Sequence, residues 1–436
     1  MKGFALALAC AAIPLAAQDT RNVVEPAIPP ACTVLQAKLG RAGASLAPED
    51  EARPDTARIQ AAIDACAPGH AVVLRRSAYR TDAFLTGPIE LRTGVTLVVE
   101  RGAYLFASRN PRDYDVKPGA CGSIAPEGSP RGCRALIAAD GVADTGVMGD
   151  GVIDGRGGET MLGQTITWWN LADRARKGGS QQNPRLIVAS RCERFTLYRI
   201  ALVNAPEFHV VFSGDGFTAW GVRIFTPQRA RNTDGIDPGS CRNVTITHCS
   251  IWTGDNQIAV KAGGHVDHIT IAHNHLYAGG GLAIGSETYG GAEAIRVTDL
   301  SVDGSDNGIH LKSNDTRGGL VRDVAFEDVC IRDARNPLWV ESGYTAYPKT
   351  RSERHDRLPE FREIAFRNVR VEGGGRVTFE GLDAAHPAGI GLENVTFDDP
   401  AAIRRSQRFA EIRVSGTAAP NACAGKFVPF PLSWYE

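Results

Sequence analysis

Almost no net charge remains once the signs are counted: 48 Lys and Arg stand against 49 Asp and Glu in 436 residues, a formal charge of −1. That balance removes the electrostatic argument for a nucleic-acid or membrane partner, although a local basic patch for an acidic polymer is compatible with a neutral total. Long apolar runs are also missing. Beyond the amino terminus no stretch approaches the ~18 apolar residues of a membrane span. No Cys-x-x-Cys occurs, and no Cys/His set has zinc spacing, so neither a metal nor another cofactor is expected. Helical periodicity is nearly absent as well. One exception is "DTARIQAAIDAC" from Asp55, which places Ile59, Ala62 and Ile63 on one face behind a candidate N-cap and is expected to cap the end of the fold.

What is present begins with an export-type leader. "MKGFALALACAAIPLAAQD" has Lys2, an apolar run from Phe4 to Leu15, and small residues before Gln18. Residues 1–17 read as a signal peptide and 18–436 as one domain, secreted or periplasmic, with a lipoprotein anchored at Cys10 as the lesser alternative. Nine cysteines follow the leader: Cys32, Cys66, Cys121, Cys133, Cys192, Cys241, Cys249, Cys330 and Cys423. An exported chain permits disulfides, and the odd number leaves at least one thiol outside an intrachain bridge. Cys241 and Cys249 sit in a strand-like run that would hold them roughly 26 Å apart, so they are not expected to bridge.

The rest is a succession of short β-type runs separated by Gly, Asn and Asp. "ERFTLYRIAL", "DGFTAWGVRIF", "RNVTITHCSIW", "DHITIAHNHLY", "EAIRVTDLSVD" and "RDVAFEDVCIRD" share one pattern. Anchored on Phe195, Phe217, Val244, Ile269, Ile295 and Val324, they recur at steps of 22, 27, 25, 26 and 29 residues. Each unit carries a further short strand, among them "GIDP", "QIAVK", "LAIGS", "GIHLK" and "PLWVE". A repeat of this length without a helix predicts an all-β parallel β-helix, a solenoid whose rungs lie roughly 4.8 Å apart. Residues 344–360 are charged, lack apolar period and read as a loop between rungs.

Stacking the second strands aligns Asp234, Asp255 with Asn256, Gly280, and His310 with Lys312. Alternation turns Ile258 and Val260 inward and Asp255, Gln257 and Lys261 outward. Two carboxylates about one rung apart suit glycoside hydrolysis, one protonating the leaving oxygen and the other activating water. Asp and Asn are equally at home in turns. Asp237 reads as a turn residue or a support for the pair, and Glu287 as structural. Asp303, Asp306, Asp315 and Asp323 read as solvated turn residues. His265, His268, His273 and His275 alternate along one coil and read as turn or solvated residues rather than ligands. Trp168 and Trp169 are either core or a sugar-stacking platform.

At these residues the chain resembles the polygalacturonases, glycoside hydrolase family 28. The likeness rests on "MGDGVIDGRGG", "NAPEFHVVFS", "ARNTDGIDP", "TGDNQIAVKA", "AIGSET" and "NGIHLKS", in family order. It implies a right-handed parallel β-helix that hydrolyses pectin with inversion and without metal. It implies Asp255 as general acid, Asp234 in water activation, and Asn232, Asn256, Gln257, His310 and Lys312 as substrate-binding positions. It also implies the pairs Cys32–Cys66 and Cys121–Cys133. Three positions depart from the family pattern. Asn256 stands for an acid, Gly280 for a histidine, and His310 for an arginine. An amide cannot take a proton, and His cannot supply a bidentate fork to a carboxylate. The expected partner is therefore a pectic polysaccharide or oligosaccharide, bound by a monomer. The readings left open are hydrolysis of polygalacturonate, a shifted specificity for rhamnogalacturonan or xylogalacturonan, dependence on protonated His310, and a β-helix that binds sugar without cutting it.

Overall fold

The computed structural model describes residues 18–345, 357–416 and 419–432. The leader expected at 1–17 lies outside the described residues, as does most of the loop expected at 344–360. Among the described residues, strands from Ala31–Gln36 to Ala410–Ser415 join into one sheet of 27 strands that pair in parallel, each with the equivalent strand one turn along the chain. This is a parallel β-helix.

The expected anchors stack as neighbours. Phe195 pairs with Phe217, Phe217 with Val244, Val244 with Ile269, Ile269 with Ile295, and Ile295 with Val324. All are buried, and each such side chain removed from water stabilises the coil by about 1.5–3 kcal/mol. The residue before each anchor turns a corner inside a long strand: Arg194, Asn243, His268, Ala294 and Asp323 have φ between 50° and 57°, and Gly216, before Phe217, has φ 88°. Asn, Asp and His tolerate that left-handed bend better than most residues. His248 and His273 occupy a second such corner, at φ 56° and 57°.

The helix Thr56–Ala65 forms as expected, with Ile59 and Ile63 in the core. Asp55 precedes it without a side-chain cap; its carboxylate instead pairs with Arg58 at 2.5 Å and accepts from the Leu85 amide. Disulfides join Cys32–Cys66, Cys121–Cys133 and Cys330–Cys423. Cys192, Cys241 and Cys249 are free and buried. Trp168 is core, edge-on to Tyr114, while half-buried Trp169 donates to the Ala205 carbonyl. No described helix is long and apolar enough to cross a membrane.

Candidate active site

One sheet of the solenoid presents the candidate residues. Its strands are Ile236–Thr247 (its first part), Ile258–Val260, Leu282–Ile284, Asn307–Lys312, Asn336–Glu341, Gly375–Glu380 and Ile403–Arg408. Ile236, Ile258, Leu282 and Ile309 are in register. Counting back two residues brings Asn256, rather than Asp255, onto the rung position next to Asp234. Counting forward places His310 with Ala283 and Ala259, in the column of Asp237. The expected alignment of Asp234, Asp255 and His310 in one stack is thus corrected: the polar positions occupy neighbouring columns of the same face.

Asp234, Asp237 and Lys261 form the centre. The Lys261 ammonium lies 3.3 Å from Asp234 Oδ2 and 3.7 Å from Asp237 Oδ2. Both aspartates are almost fully buried. Burial, then the Asp237 charge, pushes Asp234 well above the usual carboxylate range. Burial raises Asp237 to about 7 against the pull of Lys261 and Arg185. Burial alone would lower Lys261, but Asp237, Asp234 and Glu287 outweigh it and raise it. Several carboxyls share one ammonium, so the lysine stays charged while the two aspartates compete for a proton. Glu287 is lowered: burial would raise it, but Lys261 and Arg317 prevail, and Arg317 pairs with it at 2.8 Å.

Asp255 borders this centre and is half-buried. Its Oδ1 accepts from the Asn256 amide at 2.9 Å and the Asn256 Nδ2 at 2.7 Å, which leaves Oδ2 free of those bonds. Asn256 Oδ1, Asp234 Oδ1 and both Asp237 oxygens are buried without a hydrogen-bond partner. Lys312 is lowered by burial, with Asp255 the strongest opposing charge; its Nζ stands 5.1 Å from the Tyr344 ring centroid. His209 fastens the floor, its Nδ1 2.9 Å from the Asp234 carbonyl and its Nε2 2.8 Å from Thr226 Oγ1. Burial drives it down to about 4, so it is neutral.

Two expectations need correction. Gln257 does not face outward. Its strand begins only at Ile258, and its fully buried amide donates to the Tyr277 carbonyl at 2.8 Å and accepts from Gly281 N at 2.5 Å. It holds backbone, not substrate. His310 is buried and stacks on Trp339 with 4.4 Å between ring centroids, its Nε2 3.0 Å from Glu341 Oε1. Burial, then Lys312, depresses it to about 2, so a protonated His310 at mildly acidic pH is not what this pocket provides. Asn232 turns the chain ahead of Asp234 at φ 55° and accepts from Gln181 at 3.0 Å. The sequence reading underrated Asp237, Lys261 and Glu287; the signal available was one column of the repeat, in which Lys261 and Lys312 both stand three residues beyond a paired isoleucine. The four histidines do not converge on one point: His265 and His268 share Asp267, His265 also reaches Glu293, His273 goes to Asp299 and His275 to Ser301.

Known proteins resemble this chain in sequence and in fold. The profile of glycosyl hydrolases family 28 matches residues 115–414. The chain is 37% identical over 456 residues to a polygalacturonase of Ralstonia nicotianae, covering 92% of this chain and 83% of that one. It is 38% identical over 384 residues to an endo-polygalacturonase of Pectobacterium carotovorum subsp. carotovorum, covering 87% and 90%. In three dimensions it resembles the polygalacturonase from Erwinia carotovora ssp. carotovora with a TM-score of 0.82 at 36% identity, covering 91% of this chain and 100% of that one. A β-helix with carboxyls gathered around lysines on one face, and relatives of this identity over nearly its whole length, lead to one conclusion: the chain belongs to glycosyl hydrolase family 28 and is a pectin-degrading glycosidase.

Proposed function

We propose that the chain cleaves α-glycosidic bonds of polygalacturonate or a related pectic polyuronide by inverting acid/base hydrolysis, with Asp255 as general acid and Asp234 as base. The observation that carries this is the distribution of unused oxygens around the lysines. Asp255 Oδ1 is occupied by Asn256, so Oδ2 is the oxygen left to protonate the leaving group. Asp234 Oδ1 and the Asp237 oxygens lack hydrogen bonds and offer acceptors to a water. The water adds to the anomeric carbon as the glycosidic C–O bond breaks, and its proton passes to the Asp234/Asp237 pair. Asn256, in register beside Asp234, orients by hydrogen bonding but takes no proton. Lys312 and Lys261 supply positive charge for uronate carboxylates, and Asn232 stands at the rim as a further contact. The enzyme acts as an exported monomer; its three disulfides accord with an oxidising compartment.

Neutral, buried His310 supports a shifted specificity, because a fork for a second carboxylate is missing there. Asn256, an amide where a base could stand, favours the other alternative, a protein that holds the sugar without cutting it. Reducing-end release from polygalacturonate, rhamnogalacturonan and xylogalacturonan separates these readings. Turnover on one of them, lowered about 10²–10⁴-fold by Asp255→Asn, is the expected outcome. Binding without turnover on all three would leave only the binding role.

A further inference from the structure

The face that carries the acids continues past His310 for three more rungs, and its residues sort into columns. The middle column runs His310, Trp339, Thr378, Ser406. One flanking column runs Lys312, Glu341, Glu380, Arg408. On the other flank, Arg376 pairs in register with Arg404. Thr378 and Ser406 are small, and behind Trp339 they leave a hollow of about 350 Å³ whose lining also includes Arg376, Arg404, Glu341 and Glu380. His310 covers one side of the Trp339 ring.

The charges here are unequal in a telling way. Glu380 accepts from Ser406 at 2.9 Å, and Glu341 is bound by His310. Arg376 and Arg404 have no side-chain hydrogen-bond or ion-pair partner among the described residues, although most of the chain's other arginines are paired. Like charges directly opposite on adjacent strands destabilise a sheet, and an anion placed between them removes the penalty. Four residues along a strand, from Arg376 to Glu380, span about 13 Å, so the column of arginines and the column of acids border a strip wide enough to take a sugar ring.

We propose that the hollow bordered by Trp339, Thr378, Ser406, Arg376 and Arg404 is a distal uronate-binding subsite. It holds an acidic sugar of the same polymer whose bond is cut at Asp255, with the carboxylate toward the arginines and the hydroxyls toward Glu341 and Glu380. The inference rests on the proposed reading of the substrate as a polyuronide. The strand of Arg376 lies four rungs beyond Ile258–Val260, roughly 19 Å along the face. Only a chain of several residues reaches both places.

The test is the Arg376→Gln/Arg404→Gln double variant, with thermal melting to confirm an unchanged fold. On polygalacturonate its KM is expected to rise about tenfold with kcat unchanged, while KM on trigalacturonate stays within about twofold. Arg→Lys at both positions should recover part of the loss. Equal KM values for variant and unaltered enzyme on the polymer would overturn the subsite alone. Calorimetric binding of hexagalacturonate, in an Asp255→Asn background, separates the two readings. If the unaltered enzyme shows no turnover but the double variant binds about tenfold more weakly, the subsite stands and the hydrolytic reading falls. If neither binds, both fall.

Discussion

Two clusters of buried ionisable groups lie on the same face, and burial leaves them in opposite states. Around Lys261 the ammonium and Glu287 keep their charge, the lysine raised by its acids and Glu287 lowered by its cations, while raised Asp234 and Asp237 compete for a proton. Around His310 both partners are driven neutral. Burial, then Lys312, takes His310 down to about 2, and burial, then Glu380, takes Glu341 up to about 7, with Lys312 opposing weakly. The largest charge acting on each has the same sign as its own ionised form. Loss of water penalises both clusters, and the sign of the neighbour decides which group stays ionised. The first cluster can move protons; below about pH 7 the second is a polar wall that presents no net charge.

The largest expected effect breaks the first cluster by taking away its cation. Lys261→Met leaves Asp234, Asp237 and Glu287 without their shared ammonium and should cost about 3–5 kcal/mol in denaturant unfolding at pH 8. His310→Phe in the second cluster keeps the stack on Trp339 and loses one neutral hydrogen bond, about 1 kcal/mol. Equal costs would erase the distinction between the clusters.

A second effect is read in the pH profile. The base must be ionised, and the Asp234/Asp237 carboxyls are raised, so lowering the pH protonates them early. kcat/KM should therefore fall as pH drops below about 7, the level to which Asp237 is raised. Asp237→Asn removes the charged neighbour that pushes Asp234 up and should move this acid limb to lower pH. A limb that stays in place would show that Asp237 does not act through Asp234.

The smallest effect concerns Glu341. Its folded pKa lies above its unfolded one, so its contribution to stability is present below about 4.5 and lost as pH rises through about 7. Glu341→Gln should match the unaltered chain at pH 4 and be more stable at pH 8 by no more than about 1 kcal/mol, given partial solvent screening. A loss at pH 8 would mean that the carboxylate is ionised and paired.

The fold was legible because interior positions of a solenoid repeat strictly: each anchor from Phe195 to Val324 falls on the next rung. The corners were legible only as scattered Asn, Asp and His. Of the four histidines that look like ligands in one dimension, His268 and His273 mark left-handed bends, as His248 does on a neighbouring coil, so half of that set is a by-product of geometry. The candidate site was half legible. Asp234, Asp255 and Lys312 were reached by stacking. Asp237 and Lys261 were not, because alternation says which way a side chain points but not what charge faces it from the next rung. Gln257 was misread because alternation was carried one residue beyond the Ile258–Val260 strand.

Both ends of the described chain strap the middle rungs. Asp19 accepts from Thr245 and its amide donates to Thr270, Thr20 bonds Asn243, and Glu25 accepts from Tyr198. At the other end, Cys423 is bonded to Cys330, Lys426 pairs with Asp299, and Phe430 packs against Phe225, Trp252 and Tyr277. A solenoid held only by nearest neighbours can fray coil by coil from either tip. Here Glu25 meets Tyr198 across 173 residues, Thr20 meets Asn243 across 223, and Asp19 meets Thr245 across 226, while Cys423, Lys426 and Phe430 lock neighbouring central coils. Assembly can begin as a growing spiral, but these straps close only across long stretches of sequence, which couples the coils that hold Asp234 and Asp255 to residues 19–25 and 423–430.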